Sequence, residues 1–206
     1  MLKVISVGVG GMFAVNHMID SGVTGAEFIS CSRDEMSLQM SKAEKKILLD
    51  KNVSYGLDGG STERSAKAAN ESREEILSAL RGAEAVIIVA GLGGFDGTGA
   101  SPVVAKFAKE LGVLTVALVT LPYKFEGLRR TARAEAALEK LLARADMVVK
   151  ISNDKVLQSV DKKMKITMTQ SFKCVDEIIC RAVRNLIVLL QDDDVGKNFS
   201  EATPDV

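Results

Sequence analysis

AVIIVAGLGGFDGTGAS, residues Ala85 to Ser101, passes from an unbroken apolar run into a segment in which five of the eleven residues from Gly91 to Ser101 are glycine. An apolar run without alternation is the pattern of a strand buried on both faces, as in a parallel sheet. Glycine lets backbone N–H groups close on an anion unhindered, and a helix that follows adds its positive end. A plain strand-to-helix turn needs only one or two glycines. The segment therefore reads as a phosphate-binding loop, feeding a helix from about Ser101 to Leu111 with Pro102 in its first turn.

The same alternation of strand and helix extends in both directions. LKVISV is a strand that runs into the glycine turn GVGG, and MFAVNHMIDSG has helical spacing. AEFISCS is a strand, KAEKKILLD a short mixed segment, and VSYGLDGGSTERS a polar loop before a helix from Glu63 to Leu80. VLTVALVT and MVVKIS are strands flanking the amphipathic helix FEGLRRTARAEAALEKLLARA. NDKVLQSV is a short helix, and a long one runs from about Thr169 to Leu190. This order predicts an α/β fold, a three-layer parallel sheet with helices on both faces in the Rossmann manner. Ligands of such sheets lie outside the carboxyl ends of the strands. Three glycine-rich segments, Gly8 to Gly11, Gly56 to Gly60 and Gly91 to Gly99, would rim one mouth there.

The 206 residues suit one domain, taken as residues 1–190, with a polar acidic tail over 191–206. Lys+Arg and Asp+Glu balance at 27 each, so charge gives no support for nucleic acid or an anionic membrane as partner. No apolar run reaches the roughly 18 residues of a membrane span, and the N-terminus lacks a signal-peptide layout. Cys31, Cys174 and Cys180 lie in apolar segments and form no Cys-x-x-Cys pair, which predicts three buried thiols in a reducing cytoplasm. His17, the sole histidine, reads as a helix residue.

GVGGMF supplies Gly8 and Gly10 of the dinucleotide fingerprint G-x-G-x-x-G, but Phe13 stands at the third glycine. No Walker-type G-x-x-x-x-G-K-[ST] occurs. The ordered series GVGG with AVNHMI, AGLGGFDGTGASPVVA, GVLTVALVTLPYKFEGLRR and ISNDKVLQSVDKK, from about Lys3 to Leu190, resembles the nucleotide-binding domain of FtsZ, the bacterial relative of tubulin. The glycine segment is similar to the G-G-G-T-G-T-G signature of that superfamily, and F-E-G-x-R-R is a second specific match.

The resemblance implies a guanine nucleotide, GTP or GDP, with Mg²⁺ as a candidate companion. It implies that Gly91, Gly93, Gly94, Gly97, Thr98 and Gly99 cradle the phosphates. Gly8, Gly10 and Gly11 would wall the α- and β-phosphates, and Gly59 and Gly60 would rim the γ-phosphate. Glu126 and Arg130 match ribose contacts; read alone, they are an i,i+4 ion pair. Asn153 matches a guanine contact and, read alone, a helix cap or turn residue. Phe172 and Asp176 match a stacking aromatic and a carboxylate that accepts from guanine N1 and N2; read alone, they are core and solvent-facing. Thr120 matches a threonine near sugar and phosphate, or is simply a strand end. Self-association and GTPase activity of a prokaryotic cytoskeletal, cell-division type also follow from the resemblance.

Several positions depart from the family pattern. The signature's third glycine and first threonine are Phe95 and Asp96 here, and a carboxylate beside phosphates is repulsive unless compensated. Outward turning of Asp96 is the first expectation, Mg²⁺ binding the second and loss of nucleotide binding the third. Met12 and Phe13 replace asparagines, and the DGGST loop is one residue shorter. The family's N-x-D-x-x-D pattern, which orients the attacking water on a neighbouring subunit, is not matched by Asp192, Asp193, Asp194 and Glu201. No catalytic residue is evident, so hydrolysis is expected to be slow, absent or dependent on assembly. Two other readings stay open. One is an NADP-type dinucleotide fold, with Ser32 and Arg33 at the 2′-phosphate. The other is a non-catalytic assembly protein that keeps the fold and not the nucleotide.

Overall fold

The computed structural model describes residues 1–49, 60–159 and 166–191. Its centre is a sheet of six parallel strands: β1 (Leu2–Val7), β2 (Ala26–Ser32), β3 (Lys45–Leu48), β4 (Ala85–Gly91), β5 (Leu114–Leu121) and β6 (Met147–Ser152). Their order is β3-β2-β1-β4-β5-β6. Side chains alternate across the sheet. Ile5, Val7, Ile88 and Ala90 enter a core beneath α3 (Thr62–Glu71), α4 (Arg73–Leu80), α5 (Phe95–Glu110) and α6 (Leu128–Leu142). Leu2, Val4, Ile87 and Val89 enter the opposite core beneath α1 (Gly8–Asp20) and α8 (Met168–Gln191). The unbroken apolar strands are thus apolar because both faces are covered.

Chain order reverses between β1 and β4. The crossovers leaving these neighbours go to opposite sides, which opens a crevice at their carboxyl ends. There Val7 pairs with Ala90, and Gly91 pairs with Thr120 of β5.

Several boundaries differ from expectation. The segment read as a loop before Ser101 is helix from Phe95 onward, so Pro102 sits well inside α5. Extended backbone at Gly94 starts the helix, and Gly97 and Gly99 serve as packing positions on it. GVGG is likewise the first turn of α1. The helix expected over Glu63–Leu80 is two helices broken at Ser72; a short helix α2 (Glu35–Met40) stands before the stretch read as mixed, and that stretch contains β3. In place of one helix from FEG onward, a 3₁₀ turn (Lys124–Glu126) precedes α6, separated by Gly127 at φ +96°. The expected short and long helices are α7 (Asn153–Ser159) and α8.

Cys31 and Cys180 are buried and Cys174 is half-buried rather than buried; all three are free. Burial, reinforced by Asp96 and Glu75, pushes the Cys31 thiol pKa up, which keeps it protonated and inert. Among the described residues no helix is long and apolar enough to cross a membrane. Gly59, most of the DGGST loop's approach and the acidic tail lie outside the described residues.

Candidate functional site

A cleft of about 880 Å³ opens at the carboxyl ends of β1, β4 and β5. Two helix first turns form its floor. Val9, Gly10 and Gly11 come from α1, and Gly94, Phe95, Asp96 and Gly97 from the start of α5. Neither helix has a side-chain cap on its first amides. Uncapped N–H groups carry the positive end of the helix dipole, so two such ends on adjacent strands favour an anion.

The glycines divide into two sets. Gly10, Gly91 and Gly94 border the cleft, and a Cβ on Gly94 would meet nothing within 4 Å. The others, Gly11 and Gly97 on the cleft wall among them, hold backbones together. A Cβ on Gly11 would lie 2.3 Å from the Val89 carbonyl oxygen, and one on Gly97 2.3 Å from that of Gly91. Gly8, at φ +74°, abuts the Gly97 nitrogen, and Gly99 abuts Thr62 of α3. Gly93, at φ +97°, donates its N–H to Thr98 Oγ1 at 2.8 Å, so the Thr98 hydroxyl braces the turn from behind. Gly60 packs against the Phe95 ring, which in turn lies under Arg133, 4.7 Å from its guanidinium carbon. Gly8, Gly60, Gly93, Thr98 and Gly99 are not part of the cleft wall. They shape it from outside.

Asp96 is turned toward the end of β2 and is fully engaged. Its Oδ1 accepts from Arg33 Nε at 2.6 Å and Ser65 Oγ at 2.8 Å, and its Oδ2 from Arg33 N–H at 3.1 Å and Ser32 Oγ at 3.2 Å. This is an ion-paired carboxylate with its lone pairs committed to donors. Ser32 and Arg33, candidates for a 2′-phosphate, are occupied by the same contacts. Among the described residues no cluster of three or more His, Cys, Asp or Glu side chains could hold a metal.

The far end of the cleft is chemically different. Asn153, the first residue of α7, is buried at 4% exposure, and its Oδ1 has no hydrogen-bond partner among the described residues. A sealed amide oxygen left unpaired is costly and marks a place for a donor. Asp176 on α8 faces the same space, and burial raises its carboxyl pKa to about 6 against an opposing pull from His17. Phe172, one turn earlier, is half open and meets Tyr123 edge-on at 5.5 Å. Phe13 of α1 also lines the cleft, half exposed. Both exposed rings thus offer faces to a planar guest.

Between the two ends stand Glu126, Arg130 and Thr120. Arg130 Nη1 lies 3.1 Å from Glu126 Oε2, so the i,i+4 pair is formed. Glu126 Oε1 also accepts the Tyr123 N–H at 2.8 Å, which fixes the 3₁₀ turn. Thr120 is nearly buried, and its carbonyl accepts the Leu92 N–H. The structure therefore gathers Gly10, Gly11, Gly91, Gly94, Gly97, Thr120, Glu126, Arg130, Asn153, Phe172 and Asp176 along one cleft. Asn16, Asp20, Lys42 and Lys173 border it too and were missed from sequence, since no motif marks them. The one available signal was helical spacing, which puts Asn16, His17 and Asp20 on the face of α1 that carries Phe13.

The sequence profile of the Tubulin/FtsZ family, GTPase domain, matches residues 1–161. Among solved structures the chain is similar to an empty FtsZ dimer from M. jannaschii, at a TM-score of 0.85 and 37% identity, covering 93% of this chain and 55% of that one. It is also similar to CetZ2 from Haloferax volcanii in a GTPγS-bound protofilament, at a TM-score of 0.80 and 26% identity, covering 96% and 62%. A GDP-bound CetZ1 monomer from Haloferax volcanii shares the fold at 20% identity and a TM-score of 0.80. The chain thus spans between half and two thirds of the length of these relatives.

Proposed function

The chain belongs to the Tubulin/FtsZ family, and from that premise we propose that its cleft binds a guanine nucleotide, GTP or GDP. The observation that carries this is the pairing of opposite chemistries in one cleft. Two uncapped helix ends stand on adjacent strands, and an unpaired buried amide oxygen and a carboxylate stand across from them. Polyphosphate suits the first end. The donor edge of guanine suits the second, because Asn153 Oδ1 and Asp176 both accept.

First-turn amides from Gly10, Gly11, Gly94 and Gly97 would hold the phosphates, with Gly8, Gly93, Thr98 and Gly99 fixing their backbone. Glu126, Arg130 and Thr120 would flank the sugar. Phe172 would stack on the base, and Asp176 with Asn153 would select guanine over adenine, which lacks the N1–H and N2–H donor pair. Gly60, packed on the Phe95 ring, would shape the terminal-phosphate end from outside the wall, and Gly59 is assigned to that rim by family resemblance alone. Mg²⁺, where it accompanies the nucleotide, would ride on phosphate oxygens rather than on the committed Asp96. The bound nucleotide supplies a phosphoanhydride bond, and backbone amides stabilise charge on its oxygens. Hydrolysis in this reading is slow or dependent on assembly, as a neighbouring copy completes the site in a cytoskeletal, cell-division type of protein.

Isothermal titration of the purified chain with GTP, GDP and ATP, with Mg²⁺ present, tests the binding. GTP and GDP should bind with clear preference over ATP. Absence of guanine nucleotide binding under those conditions overturns it. Light scattering with and without GTP reads self-association separately.

A further inference from the structure

The two residues that depart from the family signature in α5, Phe95 and Asp96, are each held by an arginine from another element, Arg133 and Arg33. The Asp96 pair has the larger consequence. Asp96 stands in the first turn of α5, on the cleft wall, where the helix dipole favours a carboxylate but a polyphosphate is repelled by one. Arg33 follows β2 directly, borders the same cleft, and grips Asp96 through both its backbone N–H and its Nε. The side chains are only 16% and 12% exposed, so water screens the pair weakly.

We infer that Arg33 is a specificity-determining residue for the polyphosphate end of the cleft: by cancelling the charge of Asp96 it lets a triphosphate lie against the first turn of α5. The inference rests on the nucleotide reading for the identity of the ligand, while its chemistry requires only a polyphosphate. Ser32 and Ser65 hold Asp96 in the same pose, so loss of Arg33 would leave the carboxylate in place with its charge unopposed. The cost would rise with the charge of the ligand. Arg33 acts through Asp96, and removal of the Asp96 charge should therefore cancel the effect.

The test titrates the full chain and its R33A, D96N and R33A/D96N variants with GTP, GDP and base-free tripolyphosphate, with thermal melts in parallel. R33A should weaken GTP and tripolyphosphate about ten-fold or more, with a smaller loss for GDP. The double variant should regain GTP binding to within about three-fold of the parent, because the asparagine carries no charge to repel phosphate. R33A binding equal to the parent, or a double variant as weak as R33A, overturns the inference. If R33A does not fold, D96N decides alone: it should bind GTP at least as tightly as the parent, and weaker binding overturns the role. A parent chain that ignores GTP, yet shows the loss and recovery with tripolyphosphate, supports Arg33 and overturns the guanine reading. A parent that binds no polyphosphate overturns both.

Discussion

Gly99 of α5 and Thr62 of α3 meet through backbone alone: a Cβ on Gly99 would lie 2.1 Å from the Thr62 carbonyl oxygen. That contact sets the approach of α3 to α5, with Ser65 closing beside it. Gly94, five residues earlier, faces open space. Two glycines of one motif thus carry different duties.

Alanine substitution should separate those duties. Gly99→Ala gains helix propensity but forces α3 and α5 apart, for a net loss of about 1–3 kcal/mol. Gly94→Ala, at φ −74°, should leave the melting temperature close to the parent while weakening binding of a phosphate-bearing ligand. Paired thermal melts and titrations check both. Equal stability losses at the two positions would remove the distinction.

Thr98→Val should destabilise the chain without touching the cleft surface. The Gly93 N–H is buried and donates to Thr98 Oγ1, and valine keeps the shape while removing the acceptor. An orphaned buried N–H costs about 1–3 kcal/mol. Denaturant titration should show the midpoint falling with an unchanged slope, and Thr98→Ser should recover most of the loss.

Asp176 makes stability depend on pH in a defined direction. Burial lifts its pKa from an ordinary 3.8 to about 6 in the fold. The native state holds the proton more tightly than the unfolded chain, so the contribution is complete below about pH 4 and is lost as pH rises through about 6. Its size is on the order of 2 kcal/mol, and Asp176→Asn should flatten it. Denaturant melts of both chains from pH 4 to 7 read this directly. In the guanine reading only the ionised form accepts two donors, so affinity should move the opposite way and weaken as pH falls below about 6.

Much of this fold was legible because burial on both faces writes itself into a strand. AVIIVA and VLTVALVT could hardly sit at an exposed position, and their alternation with helices dictated a parallel sheet. The start of α5 was not legible. Gly97 and Gly99 argue locally against helix, and the reason they are glycine is a strand carbonyl and another helix, both supplied by tertiary packing. The short α2 and β3 were lost because six and four residues carry too little periodicity. At the site, Glu126 and Arg130 could be paired from spacing alone. Arg33 and Asp96 could not, since no local pattern links a residue after β2 to one at the head of α5. The burial of Asn153 was equally hidden, for a polar residue opening a helix reads as a cap.

The two uncapped helix ends sit on β1 and β4, neighbours in space whose sequences are separated by two other strands. Neither end alone encloses an anion, so the pocket comes into being only once the central seam of the sheet has closed. A ligand gripping both ends would behave as a rivet across that seam, raising resistance to heat and proteolysis with the logarithm of its concentration above its dissociation constant. In the guanine-nucleotide reading, nucleotide supply would then govern how long the chain survives.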